Sequence, residues 1–105
     1  MKLSELEPEF VQWTGEQSWK AVDSLAAATG LWFLCPKCFR ENGGIIGTHM
    51  VICWDPTVPQ TVLPGPGRWA MTGTGLDDLT LSPSVNLSGP GCGWHGFVKD
   101  GEVTG

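Results

Sequence analysis

The sequence predicts an α+β fold that is mostly β, with one N-terminal helix followed by a small antiparallel sheet of about five short strands. Three observations predict it: apolar residues at helical spacing before Gly30, short apolar runs after it, and a high content of turn residues (15 Gly and 8 Pro). A chain of 105 residues has the length of one domain. We therefore expect a single domain over 1–105, with a helical segment at 1–30 and a β-rich core at 31–105.

The helix is predicted from a start signal, a periodic face and a stop signal. Thr14 and Gln17 have the spacing of a capping box, and Gly30 is typical of a helix end. Between them, apolar or small residues recur on one helical face: Trp19, Val22, Leu25, Ala26 and Thr29. This pattern predicts an amphipathic helix over 15–29.

The strands are predicted from short alternating runs that are bounded by turn residues. The runs are 31–34, 48–55, 68–74 and 79–86, followed by a hairpin at 96–103. The turn of this hairpin contains Asp100-Gly101, a favoured turn pair. Pro83 predicts a bulge or an edge position in the fourth run. Between the second and third runs, the proline-rich segment 56–67 predicts an irregular loop.

Two residue pairs with the same spacing indicate a metal site. Cys35-Pro-Lys-Cys38 and Cys92-Gly-Trp-His95 together supply three thiolates and one imidazole, a ligand set that suits tetrahedral Zn²⁺. The 53 residues between Cys38 and Cys92 exceed the usual ribbon spacing, so we expect either a zinc-ribbon-like fold with strands inserted between its two knuckles or a metal that joins the start of a sheet to its last hairpin. Four protein ligands leave no position for water, so we expect a structural zinc. A thioredoxin-like redox pair is the alternative, but residues 39–44 quickly reach a loop instead of continuing as a helix.

Four further residues are secondary candidates. His49 and Cys53 share a face of the strand at 48–55 and could replace a ligand or form a second site. Their ordinary interpretation is a partly buried polar residue and a small buried apolar one. Trp69 and Trp94 are the candidates for an exposed binding surface.

The sequence predicts no catalytic residues. Ser82 and Ser84 lie in a Leu-Ser-Pro-Ser-Val run without a Gly-x-Ser-x-Gly elbow or a nearby acid, which favours a turn or strand edge. The pair Asp77-Asp78 is typical of an exposed turn. An enzyme is therefore less expected than a binding protein.

Charge and hydropathy exclude several functional classes. The net charge is −5 and the six basic residues form no cluster, which disfavours direct binding to nucleic acid. No apolar run reaches the length of about 18 residues that spans a membrane, and the N-terminus lacks the apolar core of a secretory signal. We expect a cytoplasmic protein, whose cysteines are reduced or metal-bound.

Three blocks together resemble a family of small uncharacterised zinc-binding proteins carried by phages and prophages. The blocks are LWFLCPKCF, LDDLTLSPSVNL and CGWHGFVKDGEV. The resemblance implies a compact β-rich protein in a bacterial host cytosol, with no established activity. It also implies Cys35, Cys38, Cys92 and His95 as the metal ligands.

The leading hypothesis is a non-enzymatic, zinc-stabilised protein-binding module of phage or prophage origin. Its acidic character suits a basic host protein as partner, and an inhibitor of a host defence complex is the natural extension. One alternative is a small zinc-dependent hydrolase whose open metal site includes His49 or Cys53. Another alternative is a virion or assembly component. The partner and the oligomeric state are not predicted.

Overall fold

Strands predominate in the computed structural model, which describes residues 1–87 and 92–105. The strands are β1 (Glu9–Gly15), β2 (Ser18–Val22), β3 (Gly30–Leu34), β4 (Met50–Trp54), β5 (Ala70–Thr72), β6 (Thr80–Ser82), β7 (Val85–Asn86), β8 (His95–Lys99) and β9 (Glu102–Thr104). Within the described residues, α1 (Pro36–Asn42) is the single α-helix, and 3₁₀ turns lie at Leu3–Leu6 and Leu25–Ala27.

The strands form three antiparallel sheets. The largest has the order β2-β1-β3-β4, a second pairs β5 with β6, and the third has the order β7-β8-β9. The β8–β9 hairpin lies where the sequence predicts it, with Asp100 and Gly101 at positive φ in its turn. The fold class predicted from the sequence is nevertheless wrong, because residues 1–87 and 92–105 form nine strands in three sheets instead of one sheet of about five strands behind a helix.

The predicted N-terminal helix over 15–29 does not exist. Gly15 and Glu16 adopt positive φ and reverse the chain, so β2 returns along β1. Trp19 then pairs with Trp13 and packs edge-on against Trp32, with ring centroids 4.4 Å apart. Cross-strand aromatic packing of this kind overrides a helical spacing that arises by chance over a few residues. The segment 1–30 is thus a hairpin flanked by two 3₁₀ turns.

Gly30 is required by close packing and does not end a helix. It opens β3, and a Cβ at this position would lie 2.6 Å from the Trp54 ring. Only glycine leaves room for the Trp54 indole of β4 to pack over this position of β3.

The Cys-Pro-Lys-Cys motif starts a helix, contrary to the expectation of a loop soon after it. Cys35 is the N-cap of α1, Pro36 occupies the first turn, where proline is favoured, and Gly43 ends the helix with a φ of 68°. The motif therefore joins a buried strand to a short helix.

Apolar residues cover the largest sheet on both faces. On one face, Leu31, Phe33 and Cys53 pack with buried residues of the other two sheets, among them Leu81 and Val98. On the other face, Val11 and Trp54 pack with two valines of the loop 56–67, Val58 and Val62. The loop has no strand or helix, as predicted, but these buried valines anchor it to the sheet.

Candidate functional site

Three cysteines and one histidine bring their ligand atoms together beside the adjoining ends of β3 and β4. The sulfurs of Cys35, Cys38 and Cys92 and a ring nitrogen of His49 all lie within 4.8 Å of one another. Cys92 Sγ is 3.4 Å from Cys35 Sγ and 3.4 Å from His49 Nε2. Tetrahedral zinc, with bonds of about 2.0–2.3 Å, places its ligand atoms about 3.5–3.8 Å apart. The four donors are close enough to hold a metal ion, and the set is compatible with zinc.

Backbone pairing brings the first three donors together. The Cys35 amide donates to the His49 carbonyl oxygen at 3.0 Å, which extends the β3–β4 ladder by one step. Cys38 lies in the first turn of α1, which starts directly after Cys35. His49 Nδ1 is 3.2 Å from the Met50 carbonyl oxygen. When Nδ1 carries the proton and donates to that oxygen, the Nε2 lone pair faces the sulfurs, as a metal ligand requires.

The three thiols of the cluster do not ionise independently of one another. Burial raises the pKa of Cys35 to about 12, and burial also raises the pKa of Cys38. Desolvation likewise opposes ionisation of Cys92. With no metal bound and the His49 proton on Nε2, hydrogen bonds from His49, the Trp94 amide and the two other cysteines lower the pKa of Cys92 to about 6. One thiolate forms readily, whereas three thiolates so close together need a cation to balance them.

The cluster contains His49 and not His95. The sequence assigned His95 as the fourth ligand because its spacing from Cys92 matches that of the first pair. In the structure β8 begins at His95, and successive side chains of a strand point to opposite faces. Trp94 enters the core against Phe33, so His95 points outward, away from the sulfurs.

His95 instead contacts Ser84. The distance from Ser84 Oγ to His95 Nε2 is 3.2 Å. Ser84 directly precedes β7, where Asn86 is the cross-strand partner of His95. A hydroxyl this close to an imidazole has the geometry of a nucleophile and its general base. Ser84 is half-buried and His95 is exposed, so the pair is open to a substrate.

The remaining candidates fall in three different environments. Trp94 was expected on the surface, but it is only 1% exposed. Trp69 is half-buried, and its indole N–H donates to the Ser84 carbonyl oxygen at 3.2 Å. Cys53 lies outside the metal cluster and is fully buried, which raises the pKa of its thiol.

A four-residue segment connects the metal cluster to the Ser84–His95 pair. Cys92 lies in the cluster, Trp94 lies in the core, and His95 begins β8. Leu87, just after β7, fastens this segment: its amide donates to the Trp94 carbonyl oxygen at 2.7 Å, and its carbonyl oxygen accepts from the Gly93 amide at 3.1 Å. The metal ligand and the imidazole are therefore held by one short stretch of backbone.

The fold and the site define a class: a small β protein that combines a Cys₃His metal cluster with a serine–histidine pair. The chain belongs to a family described as bacterial ubiquitination-like system serine protease (BubE), whose model matches residues 5–104. No curated protein and no solved structure matches the chain. The family is bacterial by its description, and the phage or prophage setting stays a prediction.

The helices of the described residues are all short. None of them has the length and apolar character that a membrane-spanning helix needs.

Proposed function

We propose that this chain is a serine protease that cleaves amide bonds in proteins of a bacterial ubiquitination-like system, with Ser84 as nucleophile and His95 as general base. The observation that carries the proposal is the 3.2 Å contact between Ser84 Oγ and His95 Nε2. The family description supports it independently, because it names a serine protease of such a system.

The pair supplies both proton transfers of acyl transfer. Ser84 Oγ attacks the carbonyl carbon of the scissile amide, and its proton passes to His95 Nε2. When the C–N bond breaks, the leaving nitrogen takes that proton from His95, and Ser84 remains as an ester of the acyl group. A water molecule then attacks the ester, His95 takes a proton from the water, and the same proton returns to Ser84 Oγ as the acid leaves.

The metal centre contributes to stability in this proposal. A zinc ion held by Cys35, Cys38, His49 and Cys92 would join the β3–α1 turn and the start of β4 to the segment that carries His95. Its chemistry is that of a closed site, since four protein ligands complete a tetrahedral set. This closed set argues against a zinc-dependent hydrolase with an open position.

The proposal departs from the non-enzymatic module that the sequence favoured. The partners are proteins of a ubiquitination-like system, instead of an unspecified basic host protein. Inhibition of a host defence complex and a role in virion assembly find no support in the described contacts or in the family description. The cytoplasmic location stays a prediction.

Labelling with a small alkyl fluorophosphonate tests the proposal directly. This probe reacts with a serine that is activated by a general base, and Ser84 is expected to carry the label by peptide mass spectrometry. Ser84→Ala should abolish labelling. Ser82→Ala is the matched control, since Ser82 is an exposed serine two residues earlier, and it should leave labelling unchanged.

Either of two results would refute the assignment. One is no label on the folded wild-type chain, and the other is equal labelling of wild type and Ser84→Ala. His95→Ala adds a second test, because loss of the general base should abolish labelling of Ser84 while the chain stays folded.

A further inference from the structure

A cavity of about 360 Å³ opens beside Ser84. Its volume lies in the range of small-ligand sites, about 300–1,000 Å³. Strand β4 provides one wall, the glycine–proline loop before Trp69 provides another, and the segment around Ser84 provides the rim. The residues that decide its chemistry are Val51, Ile52, Pro66, Trp69, Pro83 and Leu87.

The cavity is built to receive an apolar group. The six residues just named offer methyl groups, ring carbons and an indole face. Arg68 brings a positive charge to the lining, but its guanidinium already donates to backbone carbonyl oxygens of Val58, Pro59, Val62, Pro64 and Gly67. A cation that is committed to five carbonyls has few donors left for an acidic ligand. A basic side chain would lose its hydration here and face the Arg68 cation, and an acidic side chain would lose its hydration without finding a free guanidinium N–H.

The position of His95 fixes which part of a substrate the cavity holds. His95 contacts Ser84 but is not one of the residues that line the cavity, and from this we infer that the imidazole and the cavity approach the nucleophile from different sides. The leaving nitrogen must receive its proton from the imidazole and therefore departs on the His95 side. The acyl part of the substrate is then left for the cavity side.

Trp69 connects the cavity to the nucleophile. Its ring forms part of the lining, while its indole N–H holds the Ser84 carbonyl oxygen at 3.2 Å. A group that packs on the ring therefore lies against the side chain that positions the backbone of Ser84.

We propose that this cavity is the acyl-side specificity pocket, and that it takes the apolar side chain of the residue whose carbonyl Ser84 attacks. The inference rests on the proposed function, because it assumes that Ser84 is the nucleophile. It deepens that function by naming the substrate class: chains with a Leu-like or Phe-like residue directly before the cleaved bond.

A matched panel of fluorogenic peptide amides tests the pocket. The acetylated tetrapeptide aminomethylcoumarins differ only in the last residue, which is Leu, Phe, Ala, Lys or Asp. We expect kcat/KM for Leu or Phe to exceed that for Lys or Asp by about tenfold or more. Ile52→Phe fills the cavity from a half-buried position on β4 and should abolish that preference. Met50→Phe places the same ring two residues earlier, outside the cavity lining, and should preserve it.

A second pair of variants keeps the test valid if Ile52→Phe does not fold. A Cβ on Gly67 would lie 2.7 Å from the Trp69 ring, so Gly67→Ala must move that wall of the pocket. A Cβ on Gly75, which lies outside the cavity lining, would meet no atom within 4 Å, so Gly75→Ala is the control. Gly67→Ala should change the ratio of Leu to Ala cleavage, and Gly75→Ala should leave the ratio as in wild type.

Fluorophosphonate labelling separates the two ways in which the panel can fail. If Ser84 is labelled but the panel shows no apolar preference, or favours Lys or Asp, the pocket is refuted and the protease assignment stands. If Ser84 is not labelled, the protease assignment fails and the pocket fails with it.

Discussion

The metal cluster and the Ser84–His95 pair share the short segment 92–95, which carries Cys92 and His95, but the two regions are built in opposite ways. The cluster joins distant segments, since Cys35 and Cys92 are 57 positions apart, and Cys35 is fully buried. The serine and histidine are 11 positions apart on neighbouring strands and face solvent. The first arrangement suits stability because it closes a long loop, and the second suits chemistry because a substrate can reach it. We therefore expect loss of the histidine to reduce stability in the first region and activity in the second.

Loss of the cluster histidine should have the largest effect. His49→Ala removes one of the four donors of the proposed zinc site, so we expect the variant to bind no metal and to lose about 3 kcal/mol or more of unfolding free energy relative to wild type. For a domain of this length this corresponds to a decrease in Tm of roughly 10–20 °C. Metal analysis and thermal melting of the purified variant check it. Unchanged metal content would remove His49 from the ligand set.

Loss of the surface histidine should leave the fold intact and stop catalysis. His95→Ala deletes the proposed general base, and we expect the proposed amide cleavage to fall by a factor of about 10⁴ or more. Its metal content should equal that of wild type, and its Tm should change by no more than a few degrees, because the side chain is exposed. If His95→Ala loses the metal while His49→Ala keeps it, the roles of the two histidines are reversed.

An intermediate effect on stability is expected at Arg68, whose guanidinium holds the loop 56–67 by hydrogen bonds to its carbonyl oxygens. Arg68→Ala leaves carbonyl oxygens of the loop without their donor, including that of the buried Val58, and should cost about 2 kcal/mol of unfolding free energy. Arg68→Lys should recover little of it, because one ammonium cannot span five carbonyls. Urea unfolding measures both variants. Full stability of Arg68→Ala would show that the loop does not depend on this clamp.

The smallest effect is expected at Asp78, which shapes the turn that leads into β6 and on to Ser84. Hydrogen bonds from the Thr74 amide, the Gly75 amide and the Thr74 hydroxyl lower the pKa of Asp78. Because the folded pKa lies below the unfolded value of about 3.9, the carboxylate stabilises the fold above that pH. This contribution is lost as the pH falls through the folded pKa.

Asp78→Asn should therefore be slightly less stable than wild type at pH 7, and the difference should close in strong acid. Urea unfolding over a pH series measures the gap, and Asp77→Asn, at the exposed neighbouring residue, is the control. A gap that widens on acidification would contradict the assigned direction.

The sequence predicted those parts of the fold that depend on local chemistry. The Asp100-Gly101 hairpin turn, the irregular loop 56–67 and the inward face of Cys53 all follow from single residues or from strict alternation. The helix over 15–29 was wrong because a short apolar run with mixed spacing fits a helix and a hairpin equally well. The Gly15-Glu16 turn was the signal that favoured the hairpin.

The metal site was likewise predicted only as far as local patterns allow. The three cysteines were predicted from their spacing and are found together. The fourth ligand was assigned to His95 by analogy of spacing, although that residue begins a strand and so faces away from Cys92. His49 was predicted as a residue that could replace a ligand, and it does lie in the cluster. Its selection over His95 depends on the β3–β4 register, which brings His49 next to Cys35.

The Ser84–His95 contact was not predicted, because it depends on the antiparallel pairing of β7 with β8. The interpretation of Ser84 as a turn or strand-edge residue rested on the absence of a Gly-x-Ser-x-Gly elbow. Catalytic pairs are defined by geometry and not by one motif, so the observed contact is the basis on which a catalytic role for Ser84 is proposed.

The indole of Trp69 has a consequence for any attempt to redesign this protein. One side chain both lines the cavity and holds the carbonyl of Ser84. Exchanging it to accept a new sequence would release the backbone of Ser84 at the same time. Under the proposed mechanism, turnover and selectivity are therefore tied to a single position, and directed evolution should begin at Ile52 or Leu87, where the wall can be reshaped without releasing the backbone of Ser84.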